Sequence, residues 1–337
     1  MADERESLRR WQFHLRGLVI FVAVAAIAVF LGARYFDEVR AIVEDFALSW
    51  PYFRFSYLEG WLIALVLSLV GVIVVARDQI FVGAAVSQAS TLGIALALCI
   101  ASVVPAHAHT PDDELSGTWI HSDNFQSTMA VLFSVIAALM TARGGRARRE
   151  SHEAITGWVF LVSASLSVLI VARSPHGLEE IHRLHSSSII GATKMDVVVF
   201  AVFALTTAAA LLVTHRRLLL LAMDPEMAAA VGMRTGVWSA ATSVWLGLAI
   251  GLSIRASGML YTFGMLVLPA LIAKNLCREV RPMFVVSPIV ALAAASLGFV
   301  LANHYDFPPA QMTVALLGGL LLAIWIVNRL QASDAAD

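Results

Sequence analysis

Several apolar runs of this chain are as long as the hydrocarbon core of a bilayer is thick. A helix needs about 20 mostly apolar residues to cross that core, and the run over 57–76, which contains "WLIALVLSLVGVIVVA", has this length. The chain of 337 residues is 59% hydrophobic and 14% charged. A soluble domain carries about 25% charged residues. The sequence therefore predicts an all-α fold, that of a polytopic helical membrane protein.

Hydropathy places about 9–10 transmembrane helices along the chain. The predicted spans are 15–33, 57–76, 79–104, 127–142, 154–172, 197–214, 237–255, 258–274, 284–303 and 311–327. We expect a hairpin around Ala256–Gly258 between the spans 237–255 and 258–274. The alternative for the shortest spans is that they are tilted, re-entrant or merged.

The lysines and arginines predict the orientation of these spans. If the N-terminus is cytoplasmic, 16 of the 23 basic residues fall on the cytoplasmic side, several of them in the loop "ARGGRARRE". Cytoplasmic loops carry such an excess. We expect a multi-pass protein of the cell inner (plasma) membrane with both termini cytoplasmic. The net charge of −1 argues against a nucleic acid partner.

Two features that would supply energy for transport are absent from the sequence: a P-loop pattern and a charged residue in the middle of a predicted span. No GxxxxGK[ST] pattern occurs, so ATP cannot be bound through a P-loop. No predicted span carries an acidic or basic residue near its centre, where ion-coupled carriers usually place one. We therefore expect a non-enzymatic chain whose energy source lies outside it.

Histidines are concentrated on the predicted outer side, which holds seven of the ten. They alternate with carboxylates in the loops "HAHTPDDELSGTWIHSDNF" and "SPHGLEEIHRLH". Imidazole and carboxylate together suit zinc, manganese or iron(II). The alternative is a solvated, pH-sensitive loop. The candidate metal ligands are His107, His109, His121, His176, His182 and His185.

A polar patch, "SQAST", interrupts the middle of the apolar span 79–104. Hydrocarbon penalises such side chains unless a neighbouring helix or a water-filled cavity satisfies them. Gln88 lies four residues after Ala84, so the two share one helix face, with Ser87 and Thr91 beside them.

The predicted inner loop over 215–236 contains the stretch "AMDPEMAAAVGM". Asp224 can cap a short helix that begins at Pro225, with Glu226 in its first turn and Gly232 after its last alanines. Such an element suits docking to a partner. The alternative is an interfacial amphipathic helix without a partner.

Four stretches in order resemble the permease subunits of the zinc/manganese/iron ABC importers. "VGAAVSQASTLG" (82–93) lies over the family's "LGDALSHAVLPG", and "LLLLAMDPEMAAAVGMR" is similar to its cytoplasmic loop. "ASGMLYTFGMLVLPALIAKN" (256–275) matches a third motif with Pro269 in register, and "NHYDFPPAQ" is similar to a late turn. The resemblance implies the ABC metal-importer permease fold over 50–330, an N-terminal extension with one extra transmembrane helix over 1–49, and a short cytoplasmic tail over 331–337.

The resemblance also implies function. It implies a homodimer in membrane lipid that forms a translocation pathway, with an ABC ATPase subunit and an extracytoplasmic metal-binding protein as partners. A divalent metal is then the substrate, with no stably bound cofactor. The pathway residues would be Ala84, Ser87, Gln88 and Thr91; the residues for coupling to the ATPase would be Asp224, Pro225, Glu226 and Gly232.

One departure from the family pattern bears on the substrate. Where the family has Asp and His as metal ligands, this chain has Ala84 and Gln88. An amide with hydroxyls is a poor ligand set for zinc. Three interpretations stay open: a metal that passes hydrated or is coordinated elsewhere, a different solute such as a metal chelate, and a non-transporting membrane protein such as a sensor or an intramembrane hydrolase.

Overall fold

The computed structural model describes residues 36–103, 122–142, 151–172 and 191–333. Every regular element in these ranges is an α-helix, and eight of the helices are long and apolar enough to cross a membrane. This confirms the predicted all-α, polytopic fold. The described helices are α1 Phe36–Ala76, α2 Ile80–Val103, α3 Asp123–Ala142, α4 His152–Val171, α5 Lys194–Met223, α6 Pro225–Ala230, α7 Thr235–Leu276, α8 Val280–Tyr305 and α9 Pro309–Ser333.

Each predicted span within the described ranges falls on a helix, and the span 15–33 lies outside them. The helices run further than hydropathy indicates. Helix α5 continues past the predicted end at 214 through His215, Arg216 and Arg217 to Met223, so the first nine residues of the predicted inner loop are helical. Hydropathy marks where apolar side chains stop, whereas arginine and leucine continue a helix readily.

The chain forms two compact units, Met1–Tyr52 and Phe53–Asp337. The described part of the first unit is the beginning of α1, where Arg40 Nε donates to Glu44 Oε1 at 2.7 Å. The second unit contains the other described helices and every candidate site residue that the structure describes.

Helix α7 consists of two antiparallel segments that meet at Gly258. This residue has φ 77° and ψ 170°, a conformation that essentially only glycine adopts. Arg77 donates to Thr242 Oγ1 at 3.5 Å, and the neighbouring Asp78 accepts from Lys274 Nζ at 2.8 Å. In a straight helix Thr242 and Lys274 would lie about 48 Å apart. Both ends of α7 therefore lie at the same end of the second unit, which confirms the predicted hairpin.

These contacts define two ends of the second unit. We call the end marked by Arg77, Thr242 and Lys274 the basic end. Tyr57 lies in α1 near the beginning of the second unit, where it donates to Asn303 Oδ1 at 3.5 Å; we call this end of the second unit the Tyr57 end. The loop that contains α6, predicted to be an inner loop, belongs to the basic end, because it joins the ends of α5 and α7 there.

Helix α2 lies at the centre of the second unit, packed against α3, α4 and α7. All residues over 82–95 are buried. Helix α3 approaches α7 closely because Gly247 and Gly251 present no side chains there; a Cβ on Gly247 would lie 2.7 Å from the Val135 Cα. Ser134 Oγ donates to the Gly247 carbonyl at 2.7 Å across this contact. Small residues at a spacing of four allow such approach between membrane helices.

Candidate functional site

The polar patch of α2 is buried inside the second unit. Ala84, Ser87 and Thr91 are at most 7% exposed, and Gln88 is 9% exposed. The Gln88 side-chain amide donates to the sulfur of Met259 at 3.3 Å. Gln88 is therefore directed at the turn of α7, one residue beyond Gly258.

Two hydroxyls of the patch have no hydrogen-bond partner in the part of the chain that the structure describes. Thr91 Oγ1 donates to the Ser87 carbonyl at 3.1 Å, but Ser87 Oγ and Ser90 Oγ have no partner among the described residues. A buried polar group without a partner costs about 1–3 kcal/mol. Spare hydroxyls next to an amide form a place where water or a hydrated solute can be held.

Helix α7 contributes its own buried polar residues around the turn at Gly258. Ser253 Oγ donates to the Ala249 carbonyl at 2.7 Å, and Ser257 Oγ donates to the Ser253 carbonyl at 2.9 Å. Thr262 Oγ1 donates to the Gly258 carbonyl at 2.7 Å. The sequence analysis did not select these residues, although the alternation of serine with apolar residues in "GLSIRASGMLYT" was visible.

The described part of this region offers neutral ligands to a solute. Within the described residues, no group of three or more His, Cys, Asp or Glu side chains is placed to hold a metal ion. The patch supplies an amide and hydroxyls, which donate and accept hydrogen bonds without charge. The candidate outer ligands lie outside the described residues: His107, His109, His121, His176, His182 and His185.

A buried carboxylate lies near the Tyr57 end, which sequence reasoning missed. Glu59 is only 2% exposed, and the charged groups that act on it are Asp196 and Arg255. Asp196 belongs to the first turn of α5, where it accepts from the Thr193 backbone N–H at 2.9 Å. Ionisable groups within membrane spans usually face the interior of the bundle and take part in function. The sequence offered only a weak indication of a buried carboxylate, because Glu59 lies near the beginning of the predicted span 57–76 and an apolar run follows it.

The short helix α6 has the capping that the sequence predicts. Asp224 Oδ1 accepts from the backbone N–H groups of Glu226 at 3.1 Å and Met227 at 2.9 Å, and Pro225 is the first helical residue. After the helix, Gly232 has φ 81°, which favours glycine. The Met233 N–H donates back to the Ala228 carbonyl at 3.0 Å and closes the C-terminus.

Most of α6 is exposed, and its exposed side is apolar in part. Ala228 is its one buried residue. Met227 in α6 and Val231, its C-cap residue, are 56% and 69% exposed. Met223, the last residue of α5 before the break at Asp224, is 70% exposed. The predicted inner loop thus presents three exposed apolar side chains close in sequence to the carboxylate of Glu226.

The family of this chain follows from its similarity to known proteins. The sequence pattern of the ABC 3 transport family matches residues 49–328 of this chain. The chain belongs to the ABC 3 transport family. Among curated relatives, the manganese transport system membrane protein MntB of Synechocystis is 26% identical over 178 residues. That match covers 53% of this chain and spans 58% of the length of the relative.

Solved structures show the same fold as this ABC 3 family member. PsaBC from Streptococcus pneumoniae, solved in complex with a Fab, has a TM-score of 0.67 at 18% identity and covers 84% of this chain and 95% of its own. An inward-facing ABC transporter described as metal-chelate type has a TM-score of 0.64 at 17% identity, with 83% and 88% covered. The described helices are thus those of a multi-pass membrane protein with an ABC permease fold.

Proposed function

We propose that this ABC 3 family chain is the membrane-spanning permease subunit of an ABC importer for a divalent metal: zinc, manganese or iron. The observation that carries the proposal is the family match over 49–328, which includes both the polar patch and α6. A relative named for manganese transport and a permease-like fold support it. In this proposal a separate ATPase subunit hydrolyses ATP, and the chain itself is not an enzyme.

Helix α6 is the coupling element of this proposal, with Asp224, Pro225, Glu226 and Gly232 fixing its shape. The exposed apolar side chains of Met223, Met227 and Val231 would contact a groove of the ATPase. Because α6 directly connects α5 and α7, a movement of α6 would be transmitted to both spans. Since α6 is short and capped at both ends, we expect it to connect α5 and α7 rigidly and not as a flexible loop would.

The pathway residues of the proposal are Ala84, Ser87, Gln88 and Thr91, facing the turn of α7. Their neutral chemistry supports passage of a hydrated ion, since a dehydrated dication would meet neither carboxylate nor imidazole there. The unpartnered hydroxyls of Ser87 and Ser90 would then bond to water that accompanies the ion.

A second candidate function is import of a metal chelate by the same chain. The specific observation in its favour is Ala84, a small neutral side chain on the same helix face as the neutral amide of Gln88, where the family has two metal ligands. A structural neighbour described as metal-chelate type has a similar fold. In this version the organic ligand of the chelate, not the protein, holds the metal.

The assembly we propose has the symmetry usual for such transporters: two copies of this chain, an ATPase beneath them and an extracytoplasmic metal-binding protein above. The basic end faces the cytoplasm of the inner (plasma) membrane, with both termini on that side. Residues 1–49 add one helix before the permease domain over 50–330, and 331–337 form a short tail. The outer histidines would transiently bind metal or contact the binding protein.

The test is metal accumulation by cells that lack the gene. We expect their content of one of the metals zinc, manganese or iron to fall at limiting supply, and wild-type chain to restore it. Supplying that metal free or as a soluble chelate separates the two candidates, because a chelate permease restores only the chelated form. Equal metal content with and without the gene, for all three metals in both forms, would refute import of a metal.

A further inference from the structure

A cavity of about 180 Å³ lies at the basic end of the second unit. Its walls come mainly from α1, α5 and α7, and its lining includes Val74, Arg77, Leu211, Trp238 and Trp245. Helices α5 and α7 are the two that α6 joins. The cavity is distinct from the polar patch of α2, none of whose residues lines it.

The surface that this basic-end cavity presents to an occupant is mostly apolar, although Gln79 and Ser243 are also in its lining. The hydroxyls of Thr207 and Thr242 donate to the carbonyls of Phe203 and Trp238 in their own helices. Trp245 Nε1 donates to Thr207 Oγ1 at 3.1 Å, so the indole N–H is also satisfied. Apolar cavities of about 150 Å³ stay dry and bind hydrocarbon. A hydrocarbon chain therefore fits these walls better than a polar solute.

Arg77 gives one side of the cavity a positive charge. Its guanidinium donates to Ser239 Oγ at 3.2 Å and Thr242 Oγ1 at 3.5 Å, which are both neutral. None of the described carboxylates forms an ion pair with it. The other titratable group in the lining, His152, has an Nε2 without a partner among the described residues. A guanidinium with free N–H groups is a strong ligand for phosphate oxygens.

A second cation lies close to the same wall. The Arg217 guanidinium stacks 5.4 Å from the ring centre of Trp238, which lines the cavity. Arg217, in α5, thus lies at the same end of the second unit as Arg77, which directly follows α1 and contacts α7. Positive charge next to an apolar cavity in a membrane-spanning bundle matches a molecule with an anionic head and a hydrocarbon tail.

We propose that the basic-end cavity binds one anionic phospholipid, with its phosphate on Arg77 and part of an acyl chain between α5 and α7. The occupant would support α5, which buries only five of its 30 residues. It would also fill the gap between the two helices that α6 joins. This lipid site goes beyond the proposed transport function and does not depend on which solute is moved.

The test uses the purified full chain in detergent with phosphatidylglycerol or phosphatidylcholine of identical acyl chains. Native mass spectrometry is expected to show one retained phosphatidylglycerol per chain and no retained phosphatidylcholine. Arg77→Gln should lower this retention about tenfold, because charge-assisted hydrogen bonds to phosphate are lost. Arg216→Gln, an exposed charge at the same end that does not line the cavity, should leave retention unchanged.

A second pair of variants tests whether the acyl chain enters the cavity. Ala210→Phe fills the lining, while Ala209→Phe adds the same ring to an exposed neighbour that does not line it. Only Ala210→Phe should lose phosphatidylglycerol, and excess inorganic phosphate should not displace the lipid. Equal retention of the two lipids, retention by Ala210→Phe equal to wild type, or displacement by phosphate alone would each overturn the proposal. The lipid result stands or falls independently of metal accumulation.

Discussion

At the scale of single residues, Gln88 connects the sequence pattern to the tertiary structure. The sequence shows an amide where related permeases carry a metal ligand, and the structure directs that amide at Met259 beside the turn of α7. In the described protomer Gln88 is the most exposed of the four proposed pathway residues, at 9%. A pathway through the patch therefore requires water to enter between α2 and α7.

Water access to position 88 can be measured by thiol labelling. In a chain with Cys99→Ala and Cys277→Ala, Gln88→Cys should react with a small aqueous thiol reagent in assembled, ATP-cycling transporter. Ala85→Cys is the control, because Ala85 is fully buried in the same helix. An unreactive Gln88→Cys would make α2 a packing element and remove the pathway assignment.

At the scale of elements, α7 and α6 each depend on one local conformation. The two segments of α7 can reverse direction because Gly258 adopts a backbone conformation that side chains exclude. Helix α6, with six residues, is too short to be stable alone, so its caps and its connection to α5 and α7 hold it. Changes at Gly258 should affect folding, whereas changes at the α6 cap should affect coupling.

Gly258→Ala is expected to destabilise the chain by roughly 1–3 kcal/mol, because alanine must adopt a sparsely populated backbone region. The measurement is the midpoint of thermal unfolding in detergent, which should fall by several degrees. Gly318→Ala is the matched control, since no atom lies within 4 Å of a Cβ added there and alanine favours helix. A Gly258→Ala midpoint equal to that of Gly318→Ala would show that the turn does not need glycine.

Asp224→Ala should weaken coupling while Asp224→Asn should not. Alanine removes both hydrogen bonds to the Glu226 and Met227 N–H groups, whereas asparagine is an equally good N-cap. The lost cap costs about 0.5–2 kcal/mol, enough to unravel a helix of this length. Metal accumulation and co-purification of the ATPase are the two readouts. If both variants behave as wild type, the shape of α6 does not matter for coupling.

At the scale of the whole molecule, the helix directions of the second unit follow from the contacts at its two ends. Arg77, Asp78 and Lys274 meet at one end, while Tyr57 and Asn303 meet at the other. The connection between α7 and α8 therefore lies at the basic end, and the start of α5 lies near the Tyr57 end, where the Gly191 N–H donates to Ser56 Oγ at 3.4 Å. The excess of basic residues predicts that the basic end is cytoplasmic.

Accessibility of two new cysteines checks this orientation. Glu279→Cys lies between α7 and α8 at the basic end, and Ala192→Cys lies just before α5. In intact cells with the native cysteines removed, a membrane-impermeant thiol reagent should label position 192 only. Position 279 should react after permeabilisation. Labelling of position 279 in intact cells would reverse the orientation and place α6 on the wrong side for a cytoplasmic ATPase.

The sequence by itself determined the features that depend on neighbours along the chain. Apolar runs determined where each described span lies, and Asp224, Pro225 and Gly232 predicted the caps of α6, as the structure confirms. The hairpin at Gly258 was also predicted, because two apolar runs leave no room for a longer connection. These features follow from backbone and hydration energies that act over a few residues.

Only the tertiary structure decided which side chains meet across distant segments. Gln88 and Met259 are 171 positions apart, and Arg77 contacts Ser239 and Thr242 from more than 160 positions away. The burial of Glu59 near Asp196 and Arg255 is equally non-local. Hydropathy and periodicity report how apolar a helix face is. In a bilayer both the lipid-facing and the protein-facing sides of a helix are apolar, so these patterns do not say which face packs on which partner. That choice depends on the shapes of the packed helices, such as the close approach that Gly247 and Gly251 allow.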